Sequence, residues 1–418
     1  MSEKHLRVFL QDHAIGQITL AKDQTGISFR FLDSYKDMEQ RPALGQIFLD
    51  NLGAIHHQRQ RLQAWFSNLL PEGILRELIA KQAAVHTERE FFLLSYLGED
   101  LAGAVRVIPE NADSSLPWAE TKRSEQSSET SNHDDEIRFS LAGVQLKFSA
   151  TRKRQRLTIP AKGRGGNWIV KLPDQRFPNV PENEWSIMAW AKESGLTLPT
   201  IDLVPLRDIE GIPPSFHASK EGRAFVIERF DRTEKDRRIH IEDFAQIFDL
   251  YPQEKYKKYS YAALLKLLAA ITPVEDCEEF LRRLLFIVLS GNADAHHKNW
   301  SLIYPDGMTP RLSPAYDLVS TIHYIQDDTL ALNLAGSKLW RDISFDSFLK
   351  MIQKVEALQA HRDQSTWLTF LHNTTTRIMD AWTTHHHTWM LRDEDKQRLA
   401  EHWKTLPLLR AFDLRRPP

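Results

Sequence analysis

Apolar and polar positions alternate through Leu6-Arg7-Val8-Phe9-Leu10, Gly16-Gln17-Ile18-Thr19-Leu20 and Ile27-Ser28-Phe29-Arg30-Phe31. A period of two is the signature of a half-buried strand, so a small antiparallel meander is expected over residues 1–31. Across residues 62–86 the period becomes helical. It breaks at Asn68-Leu69-Leu70-Pro71-Glu72-Gly73, where Pro71 is expected to restart a helix at its first turn. A further helix is expected over residues 89–97, with Gly98 as its C-cap.

The periodicity then disappears. Residues 111–136 carry almost no apolar side chains, as in Ser124-Glu125-Gln126-Ser127-Ser128-Glu129-Thr130-Ser131-Asn132. Such a segment buries too little surface to offset its ordering entropy, and is expected to be a flexible linker. Strands follow at Arg138-Phe139-Ser140-Leu141, Leu146-Lys147-Phe148-Ser149, Trp168-Ile169-Val170-Lys171-Leu172 and Ala224-Phe225-Val226-Ile227-Glu228-Arg229-Phe230. A helix over residues 184–194, capped by Gly195, lies between the last two. From Tyr259 onward the pattern is mostly helical. One helix start is expected from Thr272 as N-cap, Pro273 as first helical residue and Glu275 as capping-box acid. Phe280, Leu284, Ile287 and Val288 then form a buried stripe.

This is the outline of an α+β chain, strand-rich in its first half and helical in its second. Its 418 residues call for two or three domains. A hydrophobic share of 42% and a charged share of 26% are ordinary for a globular protein. The net charge of -2 argues against nucleic-acid binding by bulk charge, leaving open a local basic patch. The single cysteine, Cys277, rules out an internal disulfide and a cysteine-rich zinc site. From the polar start no secretion signal is expected, and no apolar run approaches the roughly 20 residues that span a bilayer. A cytoplasmic location without membrane attachment is expected.

The candidate chemistry begins at Asp294-Ala295-His296-His297-Lys298-Asn299. An Asp followed five positions later by an Asn is the spacing of the protein-kinase catalytic loop, where the Asp accepts the acceptor proton and the Asn holds Mg²⁺. Asp317, in Tyr316-Asp317-Leu318, follows an expected hairpin with Pro305-Asp306-Gly307 as its turn, which would return it to Asn299 as a second metal-binding acid. Lys171, among large apolar neighbours, suits ATP phosphates, with Glu182 or Glu184 as its partner. Ser140-Leu141-Ala142-Gly143 reads as a small-residue turn through which backbone can approach phosphate. Val226-Ile227-Glu228-Arg229-Phe230-Asp231 ends a strand where a hinge would offer backbone to adenine. Each signal alone has an ordinary structural explanation: a turn acid, or a lysine snorkelling at a sheet edge. Their order along the chain is that of a bilobal kinase.

The same segments, together with Leu97-Gly98-Glu99-Asp100-Leu101-Ala102-Gly103-Ala104-Val105 and Glu182-Asn183-Glu184, resemble the HipA family, the kinase toxins of bacterial toxin–antitoxin pairs, over nearly the whole length. The resemblance implies an N-terminal module over residues 1–110, the linker over 111–136, a kinase N-lobe over 137–235 and a helical C-lobe over 236–418. It implies Asp294 as catalytic base and Asn299 and Asp317 as Mg²⁺ ligands. Lys171, Ala142, Gly143, His296, Tyr316 and the backbone of Glu228 and Phe230 are implied at ATP, and Ser140 as the autophosphorylated serine. A HipB-type DNA-binding antitoxin is the implied partner, with operator DNA reached only through it. An aminoacyl-tRNA synthetase is the precedent for a substrate. Where the family often reads Asp-Gly-His-Ala-Lys-Asn, Ala295 and His297 stand here. The linker is longer than the family norm, and Ser127, Ser128 and Ser131 are alternative phosphorylation sites if they are not simply solvated. A small-molecule phosphotransferase and an inactive, antitoxin-bridging kinase are the competing readings. His385-His386-His387 is expected on an exposed helix face, and the C-terminal-half tryptophans are expected to pack helices.

Overall fold

The structure, a computed structural model, describes residues 3–110, 147–153, 156–159, 165–174, 176–212, 222–233, 235, 237–325 and 328–410. The expected linker, the strand containing Ser140 and the Ala142-Gly143 turn lie outside the described residues. The chain divides into two compact units, one of Met1–Leu172, Val204–Gln253 and Ile303–Thr309, the other of Pro173–Leu203, Glu254–Leu302 and Pro310–Pro418.

In the first unit, β1 (Lys4–Leu10), β2 (His13–Leu20) and β3 (Gly26–Phe31) form the expected meander, and β4 (His56–Arg59) and β5 (Val105–Pro109) extend it at its two edges in the order β4-β3-β2-β1-β5. Leu6, Val8 and Leu10 are buried, with Leu6 opposite Ile18 and Val8 opposite Gly16. Gly16 is required by packing: a Cβ there would lie 2.4 Å from the Phe29 ring. Helices α1 (Gly73–Gln82) and α2 (Glu90–Leu97) follow. Pro71 does not open α1 as expected. Glu72 is extended (φ -117, ψ 166) and the helix starts at Gly73, because Gly73 itself turns the chain with φ +56. Gly98 does cap α2, but with right-handed backbone; what demands glycine is the Val107 carbonyl oxygen, 2.0 Å from where a Cβ would stand.

A second sheet holds β6 (Lys147–Lys153), β7 (Arg156–Thr158) and β8 (Trp168–Lys171). After β9 (Ile201–Pro205), which brings the chain back into this unit, come β10 (Ile209–Glu210), β11 (Arg223–Glu228) and β12 (His240–Asp243). The sheet contains the order β10-β7-β6-β8-β11, and β12 lies outside it. Buried charge ties it to the loop before β5. Asp231 accepts from Arg229 (2.7 Å), Arg232 (2.8 Å) and the Gly103 N–H (2.8 Å), and Asp100 pairs with Arg232 at 3.1 Å. The Leu97–Val105 and Val226–Arg232 motifs are thus two sides of one ionic core.

The second unit is built on α3 (Val180–Glu193), α4 (Tyr261–Ile271), α5 (Val274–Ser290), α6 (Phe345–Ile352), α7 (Gln364–His385) and α8 (Asp393–Thr405). Trp190 of α3 packs against Phe286 (4.9 Å), Trp382 (4.9 Å) and Trp403 (6.1 Å), as expected of the tryptophans. Helix α3 begins four residues earlier than the pattern suggests, after a left-handed Asn179 and with Pro181 in its first turn. Thr272 is not the N-cap of α5. It closes α4, its hydroxyl bonding back to the Leu268 carbonyl at 2.8 Å, because a residue before proline is pushed into extended backbone. Pro273 takes the N-cap position, and Glu275 and Asp276 supply the acidic first turn that the helix dipole favours. Phe280, Leu284, Ile287 and Val288 are buried. The hairpin of β13 (Ser301–Tyr304) and β14 (Arg311–Leu312) follows, with Gly307 at φ +84 in its turn.

Candidate active site

Helix α5 delivers the loop that carries Asp294. The helix is stopped by Gly291 in the left-handed region (φ +61), where a Cβ would come within 2.7 Å of Ile322. Beyond it the backbone is held at nearly every residue. Ala293 N–H donates to the Thr321 hydroxyl (2.8 Å) and Asp294 N–H to the buried Asn292 side-chain oxygen (2.9 Å). The Asp294 carbonyl accepts from Asn299 Nδ2 at 2.7 Å, joining the two ends of the Asp-to-Asn spacing. The Ala295 carbonyl accepts from Tyr261 (3.0 Å) and Trp300 (3.3 Å). Ala295 needs no positive φ, so alanine fits where the family often has glycine. His297, fully buried, bonds the Lys255 carbonyl through its ring Nδ1 (2.6 Å) and through its backbone N–H (3.2 Å). Burial lowers the His297 pKa, against the hydrogen bond to the Lys255 carbonyl, which raises it.

The Asp294 side chain is recessed among protein atoms, yet 47% of it remains open to solvent. Burial raises its pKa; a Tyr256 hydroxyl hydrogen bond and the Lys255 charge oppose the rise, and Asp317 and Asp328 add to it. His296, buried, approaches with Nε2 3.9 Å from Asp294 Oδ1. Asp317 stands in the left-handed region at φ +54, an uncommon conformation for a side-chain-bearing residue. Tyr316 beside it braces the loop: its hydroxyl bonds Ser301 Oγ at 2.6 Å and donates to the Lys298 carbonyl at 2.9 Å. Asn183 of α3 pins the chain just after Asp317, exchanging bonds with the Ser320 N–H and carbonyl, each 3.0 Å. Asp328, whose pKa is also raised by burial, accepts from the Thr321 hydroxyl at 2.6 Å. The second unit therefore gathers Asp294, His296, Asn299, Tyr316 and Asp317.

Lys171, Glu228 and Phe230 belong to the first unit. Lys171 is buried at the end of β8, opposite Phe225 of β11 and Lys147 of β6, with its Nζ 5.5 Å from the centre of the Phe225 ring. Glu228 pairs with Trp168 at the other end of the same strand pair, about 10 Å away along the strand. The Arg229 N–H beyond it donates to the Asn167 carbonyl at 2.8 Å, so Glu228 and Phe230 flank a position already used by the sheet. Glu182 and Glu184 are buried on α3 in the second unit.

Among the described residues no group of three or more His, Cys, Asp or Glu side chains is arranged to hold a metal alone. Mg²⁺ characteristically takes one or two carboxylates and completes its shell with phosphate and water. Asn299 and Asp317 fit that role, in a region where the surplus of carboxylate already raises Asp294.

Sequence reasoning did not find Tyr256, Asp328, Thr321 or the part played by Asn183. Tyr256 sits in Lys255-Tyr256-Lys257-Lys258-Tyr259, which reads as a solvated basic run. Asn183 lies between Glu182 and Glu184, and nothing in that local sequence signals its bond to Ser320, 137 residues away.

Residues 139–382 match the family model of the HipA-like C-terminal domain, and residues 6–108 that of the HipA N-terminal domain. Y4dM, a Sinorhizobium fredii protein that carries a kinase name, is 44% identical over 359 residues, covering 84% of this chain and 86% of its own. The serine/threonine-protein kinase toxin HipA of Shewanella oneidensis is 28% identical over 351 residues, 76% of each chain. The solved complex of Shewanella oneidensis HipA, HipB and operator DNA has a chain matching with a TM-score of 0.70 at 22% identity, covering 96% of this chain and 95% of that one. At that identity the match speaks for the fold, and it agrees with the expected α+β kinase-like architecture. Among the described residues no helix is long and apolar enough to cross a membrane.

Proposed function

Because the chain belongs to the HipA family, we propose that it is an ATP- and Mg²⁺-dependent serine/threonine protein kinase, the toxin of a toxin–antitoxin pair. The observation that carries the reading is the clustering of Asp294, Asn299 and Asp317 on one braced loop system. In the proposed reaction the hydroxyl oxygen of an acceptor Ser or Thr bonds to the γ-phosphorus of ATP. The bond from that phosphorus to the β-phosphate bridging oxygen breaks, ADP leaves, and the hydroxyl proton passes to Asp294. Asn299 and Asp317 would hold Mg²⁺, which offsets phosphate charge when bound. Lys171 contacts phosphate oxygens, Ala142 and Gly143 approach them by backbone, the backbone of Glu228 and Phe230 receives adenine, and His296 and Tyr316 border the nucleotide.

The partner proposed is a HipB-type DNA-binding antitoxin, with operator DNA engaged only through it, in the cytoplasm. The fold match to a chain solved with HipB and operator DNA supports that partner. The substrate is a Ser or Thr of a cellular protein, with an aminoacyl-tRNA synthetase as the precedent. Ser140 is proposed as an autophosphorylation site whose modification turns the kinase off: nearly two added negative charges beside ATP phosphates disfavour the loop that binds them.

Asp294→Asn tests the assignment. ADP release from Mg·ATP should fall by about 10²-fold or more while Mg·ATP affinity in calorimetry holds. Wild-type turnover in the variant would sink the kinase reading and favour an inactive, antitoxin-bridging protein. Phosphoproteomics on cells expressing the active chain against the Asp294→Asn chain identifies the acceptor.

A further inference from the structure

Tyr256 precedes α4 on the surface of the second unit, 41% exposed. Its hydroxyl nevertheless turns inward and donates to Asp294 Oδ1. The backbone under it is fixed from several directions. The Lys255 carbonyl takes the two bonds from His297, and the Tyr256 carbonyl accepts from Lys338 Nζ at 3.3 Å. The Tyr256 ring meets the His296 ring edge to face at 4.9 Å, so the phenol cannot rotate away without losing that contact. The fully buried His297, one of the departures from the usual family loop, therefore serves to hold the Tyr256 segment against the base.

The consequence for Asp294 is geometric. A carboxylate at the end of a short side chain is free to rotate about its last bond. The hydrogen bond to Oδ1 restricts that freedom, and the buried His296 ring, its Nε2 3.9 Å from the same oxygen, limits the space on that side. Among the described residues no hydrogen bond reaches Oδ2, and nearly half of the side chain is open. We propose that Tyr256 is a positioning residue for phosphoryl transfer, its hydroxyl clamping Asp294 through Oδ1 so that Oδ2 is presented to the acceptor hydroxyl. The role rests on the kinase reading above. It belongs to the general advantage of holding reacting groups in one orientation before the reaction begins.

Tyr256→Phe separates the hydroxyl from the ring, since phenylalanine keeps the contact with His296 and loses only the bond to Asp294. With the full-length protein, ADP release from Mg·ATP should show kcat lowered by about 10-fold, with KM for ATP and calorimetric Mg·ATP affinity within about twofold of wild type. Tyr256→Ala should lose at least as much in kcat. A Tyr256→Phe protein with wild-type kcat overturns the proposal and leaves the ring as mere packing; a loss confined to KM does so too, since that would make Tyr256 a nucleotide contact. Wild-type turnover that is insensitive to Asp294→Asn overturns the kinase reading and this role with it. Turnover sensitive to Asp294→Asn but untouched by Tyr256→Phe overturns the Tyr256 role alone.

Discussion

Two regions of the molecule concentrate buried or recessed charge, and they resolve it in opposite ways. In the first unit, burial alone would raise the Asp231 carboxyl, but Arg229 and Arg232 hold it well below the usual carboxylate range. Asp100 is likewise ringed by Arg232 and Arg238, at 3.1 and 3.5 Å. Both carboxylates of that network meet arginines within the protein. In the second unit burial raises Asp294, and its carboxylate neighbours Asp317 and Asp328 push it further, with a phenol and one lysine in opposition. A closed ion network joins segments of chain; an open surplus of one sign leaves room for a bound cation in the proposed function. The contrast separates two motifs that look equally charged in sequence into one closed on itself and one that, in the proposed function, carries the chemistry.

The largest effect that would test this contrast lies in the closed network. Asp231→Ala leaves Arg229 and Arg232 buried beside each other with Asp100 left to offset both, and should cost about 3–5 kcal/mol in denaturant unfolding. A loss below about 1 kcal/mol would mean that water reaches the arginines and that the network is not closed. The sign of the pH dependence follows from the depressed folded pKa: this contribution is present above the ordinary value of 3.8 and is lost only as pH falls through the lower folded value.

A second, smaller effect tests whether the first unit is closed throughout. Glu242 is fully buried and accepts from the Gln46 N–H (3.0 Å), Trp65 Nε1 (3.1 Å) and the Tyr304 hydroxyl, with no cation among these donors. Burial pushes its pKa up from 4.5 to about 7 despite those bonds. The folded state thus holds this proton more tightly than the unfolded chain does. Its contribution is complete below pH 4.5 and declines as pH rises through about 7. Glu242→Gln should flatten the unfolding free energy across that interval, removing a decline of roughly 3 kcal/mol. An unchanged slope would show that Glu242 is ionised throughout and that a cation reaches it.

The smallest stability change is expected at the open cluster. Asp294→Asn removes one of several mutually repelling carboxylates but also weakens the Tyr256 bond. The two effects oppose each other, and the melting curve should shift by less than about 0.5 kcal/mol, in either direction, while phosphoryl transfer collapses. A destabilisation above about 2 kcal/mol would make Asp294 a structural acid like Asp231, and the comparison would fail.

Much of this was written locally. The period-two segments became β1, β2 and β3, the stripe on α5 is buried, and the Asp-to-Asn loop with its following hairpin was legible because spacing and turn residues act over a few positions. The sites where local signals misled are places with competing local chemistry: Thr272 had the cap oxygen, but Pro273 forced it extended and its hydroxyl turned back into α4. What the chain could not disclose by itself lies at long separation. That β5 pairs with β1, that Asp100 meets Arg232, that Asn183 pins Ser320 and that Tyr256 reaches Asp294 are decided only when distant segments pack. The pKa shifts belong to the same class, since burial and neighbouring charge are properties of a site and not of a residue. The sequence alone determined most of the element types and which residues were candidates for the chemistry, because these depend on near neighbours. Only the tertiary structure decided which charges are closed off and which stay open, because desolvation and Coulomb energy depend on everything within reach in space.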